Sequence, residues 1–416
     1  MQEIIRQIRD AIKDTEFAGK TYIAGGFVRD QVMGLQTNDL DITVELSEGG
    51  IRLAQYLHNL GIATKPVLYQ EFGTALVLIG NYRIEFVMTR NERYRKGSRK
   101  PVTNSGTIRE DIYRRDFTIN SLIMDIMTGE ILDLSGYGLS DIKHGIIRAT
   151  SAPGIIFCDD PLRILRAIRF ANLFQYVIEE NTRKGILKNR GELTQISGER
   201  KRDEFEKILL SKTAQNGLKM LFKFGLMEFL IPELLSVENK ICFKALDSLP
   251  PLFEPRLAIL LTALNPDENK KGIILKICGR LKLSNKISSF CLLLHKLMDI
   301  LNELVESDYS DDIELRIYYY QHQSQFQELF SYLEIYFSAS GKKTDFGIIK
   351  KHAQRIALVL GGKNYPVSGA VLKEYFSLPA CREVGKYIDL GFEIWLRDPE
   401  LKAEEILPLI GRKSPI

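Results

Sequence analysis

Residues 22–45 read YIAGGFVRDQVMGLQTNDLDITVE, and the punctuation of this stretch decides the fold. Tyr22, Ile23 and Ala24 form a short apolar strand that stops at Gly25-Gly26. A turn of amphipathic helix follows, with Phe27, Val28, Val32 and Met33 expected inward and Arg29, Asp30 and Gln31 expected toward water. A second strand carries Asp39 and Asp41 on either side of Leu40 and continues through Ile42, Thr43 and Val44. Side chains alternate along a strand, so both carboxylates face one way while Leu40 and Ile42 face the core. Paired carboxylates repel each other unless a cation sits between them. Mg²⁺, which takes a few carboxylates together with substrate phosphates, suits such a pair. Asp39 and Asp41 are therefore expected to bind metal. Gly25 and Gly26 let a phosphate approach backbone N–H groups where the helix begins, with no Cβ in the way.

Gly-Gly alone reads as a turn, and Asp-x-Asp alone as a solvated strand face. In the order strand, Gly-Gly, helix, Asp-x-Asp, they resemble the nucleotidyltransferase superfamily that includes DNA polymerase beta. In that superfamily such a pair holds the catalytic metals. The resemblance implies transfer of a nucleotide to a hydroxyl. Glu85, between Ile84 and Phe86 on a later strand, supplies a third acid. It would either ligate a metal or take the proton from the attacking hydroxyl.

The chain has 416 residues, enough for two to four domains, and 45% of them are apolar, enough for real cores. The net charge of +4 leaves any nucleic-acid affinity to local patches. No apolar run is long enough to span a bilayer, and MQEIIRQIRD reads as an amphipathic helix rather than a signal peptide. Cys158, Cys242, Cys278, Cys291 and Cys381 are scattered, without zinc spacing, which fits a reducing compartment, the cytosol.

Ile4, Ile5, Ile8 and Ile12 make one helical stripe, and residues 50–60 another helix. Two β-type runs, Phe72–Ile79 and Tyr82–Met88, flank Gly80-Asn81 as a tight hairpin. From about 155 onward strand signals nearly vanish, and helical periodicity runs through 160–174, 200–210, 215–230, 253–264, 272–280 and 285–305. The expected fold class is α+β, a mixed-sheet head followed by an all-α remainder. The expected divisions are a catalytic head 1–150, a helical neck 151–212, a body 213–330 and a tail 331–416.

Asp111–Leu122 reads DIYRRDFTINSL, a density of polar groups that is costly to bury without partners. A nucleoside triphosphate would satisfy them, with Arg114 and Arg115 on phosphates and Asp116 and Asn120 on the ribose. RRDFTIN, with GGFVRD and DLDIT, looks like the class II tRNA nucleotidyltransferases and bacterial poly(A) polymerases. The resemblance is close over 20–210. It implies a polymerase-beta-like head, with CTP and ATP as substrates, tRNA as partner and Mg²⁺ as cofactor. It also adds Gly25, Gly26 and Arg29 to the expected nucleotide-binding residues.

Asp160 reads as the cap of a helix whose first residue is Pro161. Arg163, Arg166 and Arg169 recur every three residues beyond it as a basic stripe. A carboxylate accepts and a guanidinium only donates. Cytosine and adenine both show an amine donor beside a ring-nitrogen acceptor, while uracil and guanine show the reverse. Asp160 and Arg163 can therefore admit CTP and ATP and reject UTP and GTP without a template. They match the family's Glu-Asp-x-x-Arg motif, with Asp159 in place of its Glu. Ser197-Gly198-Glu199-Arg200 resembles a neck motif, with Glu199 expected to cap or brace the stripe.

The basic run 90–100 offers Arg95 and Arg99 to RNA phosphates, and Lys342, Lys343, Lys350 and Lys351 form a second patch. None of the five histidines precedes an Asp, so the phosphohydrolase domain of some relatives is not expected. The reading is a template-independent enzyme that adds or repairs the 3′ CCA of tRNA. A CC-only or A-only enzyme, a poly(A) polymerase and an inactive RNA-binding module stay open. The modest ending EEILPLIGRKSPI speaks against the poly(A) polymerase. The oligomeric state is left open.

Overall fold

Strand β1 (Thr21–Ala24) lies between β2 (Leu40–Val44) and a later strand, so the opening stretch sits at the middle of its sheet. The others in chain order are β3 (Val67–Tyr69), β4 (Thr74–Ile79) and β5 (Tyr82–Met88), then β6 (Arg90–Arg93) and β7 (Val102–Ser105), then β8 (Ile123–Asp125) and β9 (Ile131–Leu132). Seven of them form one sheet in the order β3-β4-β5-β2-β1-β8-β9, and β6 and β7 form a separate ribbon. Within the large sheet β2 and β5 run parallel and every other pair is antiparallel. The computed structural model describes residues 1–37, 39–93, 102–264, 269–341, 346–377 and 383–413. They fall into two units, Met1–Pro232 and Glu233–Ile416.

Helices α1 (Gln2–Ile12) and α3 (Gly49–Asn59) cover one side of the sheet. The isoleucine stripe of α1 and Leu53, Ala54 and Leu57 of α3 pack on Ile23, Leu40, Ile42, Val77, Ile84 and Phe86. Gly50 permits the close seat of α3, because a Cβ there would fall 2.5 Å from the Phe86 carbonyl oxygen. On the other side, α4 (Ile108–Tyr113) brings Ile112 onto Tyr22, Ala24 and Ile123. That side carries exposed Val67, Tyr69 and Leu78 at the β3–β4 end.

The hairpin at Gly80-Asn81 pairs Ile79 with Tyr82, as expected, and Gly80 takes φ +58°. Two details differ from the sequence reading. Strand β4 starts at Thr74, because Gln70–Phe72 is a 3₁₀ turn. The three-residue β3 was not read as a strand, being too short to show alternation. Helix α2 (Gly26–Val32) brings a larger correction, because Arg29 is 9% exposed and not turned to water. Its guanidinium has a buried partner, described below.

Helices α5 (Gly138–His144), α6 (Pro153–Asp159), α7 (Leu162–Phe174), α8 (Glu180–Asn189), α9 (Gly198–Leu209) and α10 (Ala214–Lys223) follow within the first unit. A parallel pair, β10 (Ile146–Ile147) and β11 (Val177–Ile178), lies among them. The helix expected from Pro161 begins at Leu162, and the Asp160 carboxylate still accepts the Leu162 N–H at 3.2 Å. α7 packs against α9, and α6 against α8.

The described residues of the second unit form helices joined by loops, with no strand among them. Expected helices appear as Phe253–Leu261, Lys270–Arg280 and Asn285–Glu306. Trp395 is buried against Tyr320 and Phe392. His295 is a core residue whose pKa burial lowers to about 4, with Nε2 3.1 Å from the Ala258 carbonyl oxygen. Among the described residues no helix is long and apolar enough to cross a membrane.

Candidate active site

Alternation along β2 buries Leu40, Ile42 and Val44 and leaves Asp41 on the side away from α1 and α3. Asp39 stands exposed immediately before the strand. Glu85 of β5 is the register partner of Asp41 across the parallel pair, and it is exposed too. Burial raises the pKa of Asp41 most, Glu85 and Asp39 raise it further, and Arg115 opposes them. The repulsion that the sequence implied is thus present around Asp41. Among the described residues no cluster of three or more His, Cys, Asp or Glu side chains is arranged to hold a metal by itself.

Beside Asp41 opens a cleft of about 510 Å³, with Gly25 and Gly26 on one wall and Asp160, Arg163 and Arg166 among its other lining residues. Gly25 has φ +73° and ψ −129°, a conformation open to glycine alone. A Cβ there would fall 3.1 Å from Arg115 Nη1. Gly25→Ala is therefore expected to lower stability by about 1–3 kcal/mol and to displace Arg115. Urea denaturation reads the first effect, and a raised KM for nucleotide reads the second.

Arg115 is aimed by Asp111, which is almost wholly buried. Asp111 Oδ2 accepts from Arg115 Nε at 3.2 Å and Nη2 at 3.0 Å, and Oδ1 accepts from Arg114 at 2.9 and 2.6 Å. Burial pushes the Asp111 pKa up, but Arg115 and Arg114 outweigh it and hold the carboxyl below the usual range.

A hydrogen-bonded polar chain runs along the cleft. Arg29 Nη1 donates to Asn120 Oδ1 at 2.7 Å, and Asn120 Nδ2 donates to Asp116 Oδ1 at 3.0 Å. The Phe117 N–H also reaches Asp116 Oδ1, at 2.8 Å. Asp116 Oδ2 takes Arg166 Nε at 2.7 Å and Nη2 at 2.6 Å, so the acceptor positions of Asp116 are filled from within the protein. Burial pushes Asp116 up, and Arg166, Asn120 and the Phe117 N–H together hold it below the usual range. Glu204, buried on α9, lies 2.9 Å from Arg169 Nε and 3.9 Å from Arg166 Nη1. The guanidinium carbons of Arg29, Arg166 and Arg169 lie 5.5, 5.3 and 4.3 Å from the centre of the Phe170 ring. An aromatic face attracts cations, which helps three of them share a small volume.

Asp160 and Arg163 lie at the start of α7. Arg163 Nη2 donates to the Arg114 carbonyl oxygen at 2.7 Å, and Nη1 to that of Ile156 at 3.4 Å. Arg200 Nη2 donates to both Asp160 oxygens, at 3.2 and 3.0 Å. The pair thus presents a fixed acceptor beside a fixed donor at the cleft.

Sequence reasoning missed Asp111, Arg200 and Glu204 as builders of this site. Ser197 caps α9 through the Arg200 N–H, and Glu204 is an acid that meets the arginine stripe. The signal for Glu204 was its place beside the apolar residues Phe205 and Ile208 on the buried face of α9. Lys350 and Lys351 are exposed on the helix Phe346–Leu360, with Lys350 paired to Glu334 at 2.7 Å. Arg95, Arg99, Lys342 and Lys343 lie outside the described residues.

Residues 21–148 match the Poly A polymerase head domain family, and 175–237 match a family described as the probable RNA and SrmB-binding site of polymerase A. The tRNA nucleotidyltransferase cca2 of Schizosaccharomyces pombe is 31% identical over 251 residues, covering 56% of this chain and 52% of that protein. A CCA-adding enzyme of Bacillus licheniformis is 36% identical over 210 residues, half of each chain. The chain thus spans about half the length of the curated relatives it matches. A solved CCA-adding enzyme with CTP is similar in fold across 100% of this chain and 96% of that one, with TM-score 0.72 and 24% identity. A Thermotoga maritima CCA-adding enzyme complexed with tRNA gives 0.63 at 23% identity, over 99% of this chain and 96% of that one. These structures establish the fold, a polymerase-beta-like head with a helical remainder. By its head and its RNA-binding segment the chain is similar to the poly(A) polymerase families, and by its fold to solved CCA-adding enzymes.

Proposed function

We propose that this chain is a template-independent nucleotidyltransferase that adds or repairs the 3′-terminal CCA of tRNA from CTP and ATP, releasing pyrophosphate. The observation that carries this reading is the fixed acceptor–donor pair, Asp160 and Arg163, in the cleft that also holds Asp41 and Arg115. Asp160 accepts the exocyclic amine of cytosine or adenine, and Arg163 donates to the adjacent ring nitrogen. Uracil and guanine meet each residue with the wrong partner. Arg115 and the backbone at Gly25-Gly26 take the triphosphate. Asn120 faces the ribose. Asp116, read from the sequence as a ribose ligand, acts in this account by orienting Asn120 and Arg166.

Asp39 and Asp41 would hold Mg²⁺, since they are hard oxygen donors two residues apart and leave other positions to water and phosphate. When bound there, the ion would supply Lewis-acid activation of the attacking hydroxyl and charge neutralisation for the leaving pyrophosphate. Glu85, beside Asp41, receives the proton of that hydroxyl. Residues 1–150 carry the chemistry and 151–212 choose the base, while 213–330 and 331–416 hold the RNA, with Lys350 and Lys351 on its phosphates. The free Cys158, Cys242, Cys278 and Cys291 fit a cytosolic protein.

The test offers each of the four nucleoside triphosphates to a tRNA transcript that lacks its terminal nucleotides. Wild type should incorporate CMP and AMP and exclude UMP and GMP. Asp160→Ala should reduce discrimination by about tenfold to a hundredfold, the worth of one good pair of base-edge contacts. Unchanged selectivity in an active Asp160→Ala variant would contradict this base-reading role.

A further inference from the structure

Given the reaction proposed above, the sheet dictates where the growing RNA end must lie. Cross-strand register sets Ala24, Asp41, Glu85, Leu76 and Val67 in one lateral row. Strands lie about 4.8 Å apart, so Leu76 and Val67 sit roughly one and two strand widths beyond Glu85. The nucleotide cleft occupies the opposite flank, at Gly25, Gly26 and Arg115. In phosphoryl transfer the attacking and leaving oxygens are roughly in line through phosphorus. With the triphosphate on the β1 flank, the attacking hydroxyl enters from the β5–β4–β3 flank.

That flank has an unusual surface. Val67 is 54% exposed, Tyr69 46% and Leu78 46%, all on the side of the sheet that carries Glu85. Arg83 is exposed as the register partner of Leu78. Arg90 reaches the same side, donating to Thr74 Oγ1 at 2.5 Å, and Thr74 is the register partner of Tyr69. An aromatic ring, flat aliphatic side chains and two guanidiniums suit stacked bases with a phosphate backbone alongside. We propose that Val67, Tyr69, Leu76 and Leu78 form a stacking platform for the unpaired 3′ end of the RNA, with Arg83 and Arg90 on its phosphates. The platform holds the terminal hydroxyl at Glu85. Its occupant is unpaired RNA, because a duplex would keep its base faces covered.

Tyr69→Ala combined with Leu78→Gln tests this, since both side chains are exposed and neither supports the core. Steady-state AMP addition to a tRNA transcript ending in CC should show the KM for RNA raised about tenfold, the worth of one base–aromatic stack. The KM for ATP should stay as in wild type, and Tyr69→Phe, which keeps the ring, should restore the RNA KM. An unchanged RNA KM in the double variant would overturn the platform. So would a wild-type dimer that the double variant dissolves without altering RNA affinity, since the face would then join two copies of the chain. A crosslink from 4-thiouridine near the RNA 3′ end to the 67–78 peptide is read without turnover. Its absence overturns the platform even where the wild-type chain adds no nucleotide, while its presence with no addition would mean that only the proposed reaction fails.

Discussion

Asp41→Asn should abolish nucleotide incorporation and, in the absence of metal, make the protein more stable. The catalytic loss follows from removing the carboxylate of the proposed metal-binding pair that lines the cleft. A metal supplies several kcal/mol of transition-state stabilisation, so a loss of about a thousandfold or more in kcat is expected. The gain in stability follows from the raised pKa of Asp41, which comes from burial first and then from Glu85 and Asp39. The folded chain holds this proton more tightly than the unfolded chain does. The corresponding stabilisation is complete below the unfolded pKa and is lost as pH rises through the folded one. At neutral pH the ionised group therefore weighs against the fold, and an uncharged amide removes that weight. Melting curves in EDTA should place Asp41→Asn above wild type, and added Mg²⁺ should stabilise wild type alone. The same raised pKa should make activity fall on acidification sooner than an ordinary aspartate would. A variant that melts below wild type in EDTA would mean that the acids are not in conflict.

Asp116→Ala should be the most damaging substitution for the fold of the head. Its carboxylate takes three hydrogen bonds and a second ion-pair contact from Arg166 and is buried, and removing it leaves Arg166 without its closest acid. Breaking a buried pair by deleting one partner typically costs about 3–5 kcal/mol. Urea denaturation should show a loss of that order. Because the Asp116 pKa is lowered, its contribution is present above the unfolded carboxylate range and fades as pH falls through the folded value. The gap between wild type and Asp116→Ala should therefore close in acid. A loss below about 1 kcal/mol would show that Arg166 re-pairs fully with Glu204, which lies 3.9 Å away.

The parts of the head that follow a simple period were legible in the sequence. The isoleucine stripe of α1, the alternation through Leu40, Asp41 and Ile42, and the hairpin at Gly80-Asn81 each repeat at a period that only one local structure satisfies. Arg29 shows where periodicity stops helping. On its own helix it reads as a surface residue, yet Asn120, 91 positions away, accepts its hydrogen bond and Phe174 stacks under it. Asp111 and Glu204 were missed for the same reason: a buried acid is explained only by arginines that other elements deliver. Arg200 was overlooked beside Glu199, since the sequence gives no sign of which of two adjacent charges reaches back 40 residues to Asp160. The roles proposed for Asp39, Asp41 and Asp160, by contrast, rest on local pattern and on family resemblance.

The central claim is that this cleft adds nucleotides in a set number and identity. Labelled CTP and ATP should be offered to three tRNA transcripts, ending before CCA, after C and after CC, and the products resolved to single nucleotides. Asp39→Ala with Asp41→Ala serves as the blank. The account predicts completion of every transcript to CCA and a stop after the adenosine. Products that end at CC, growth only from CC, long adenosine tails, or no product beyond the blank would each contradict it.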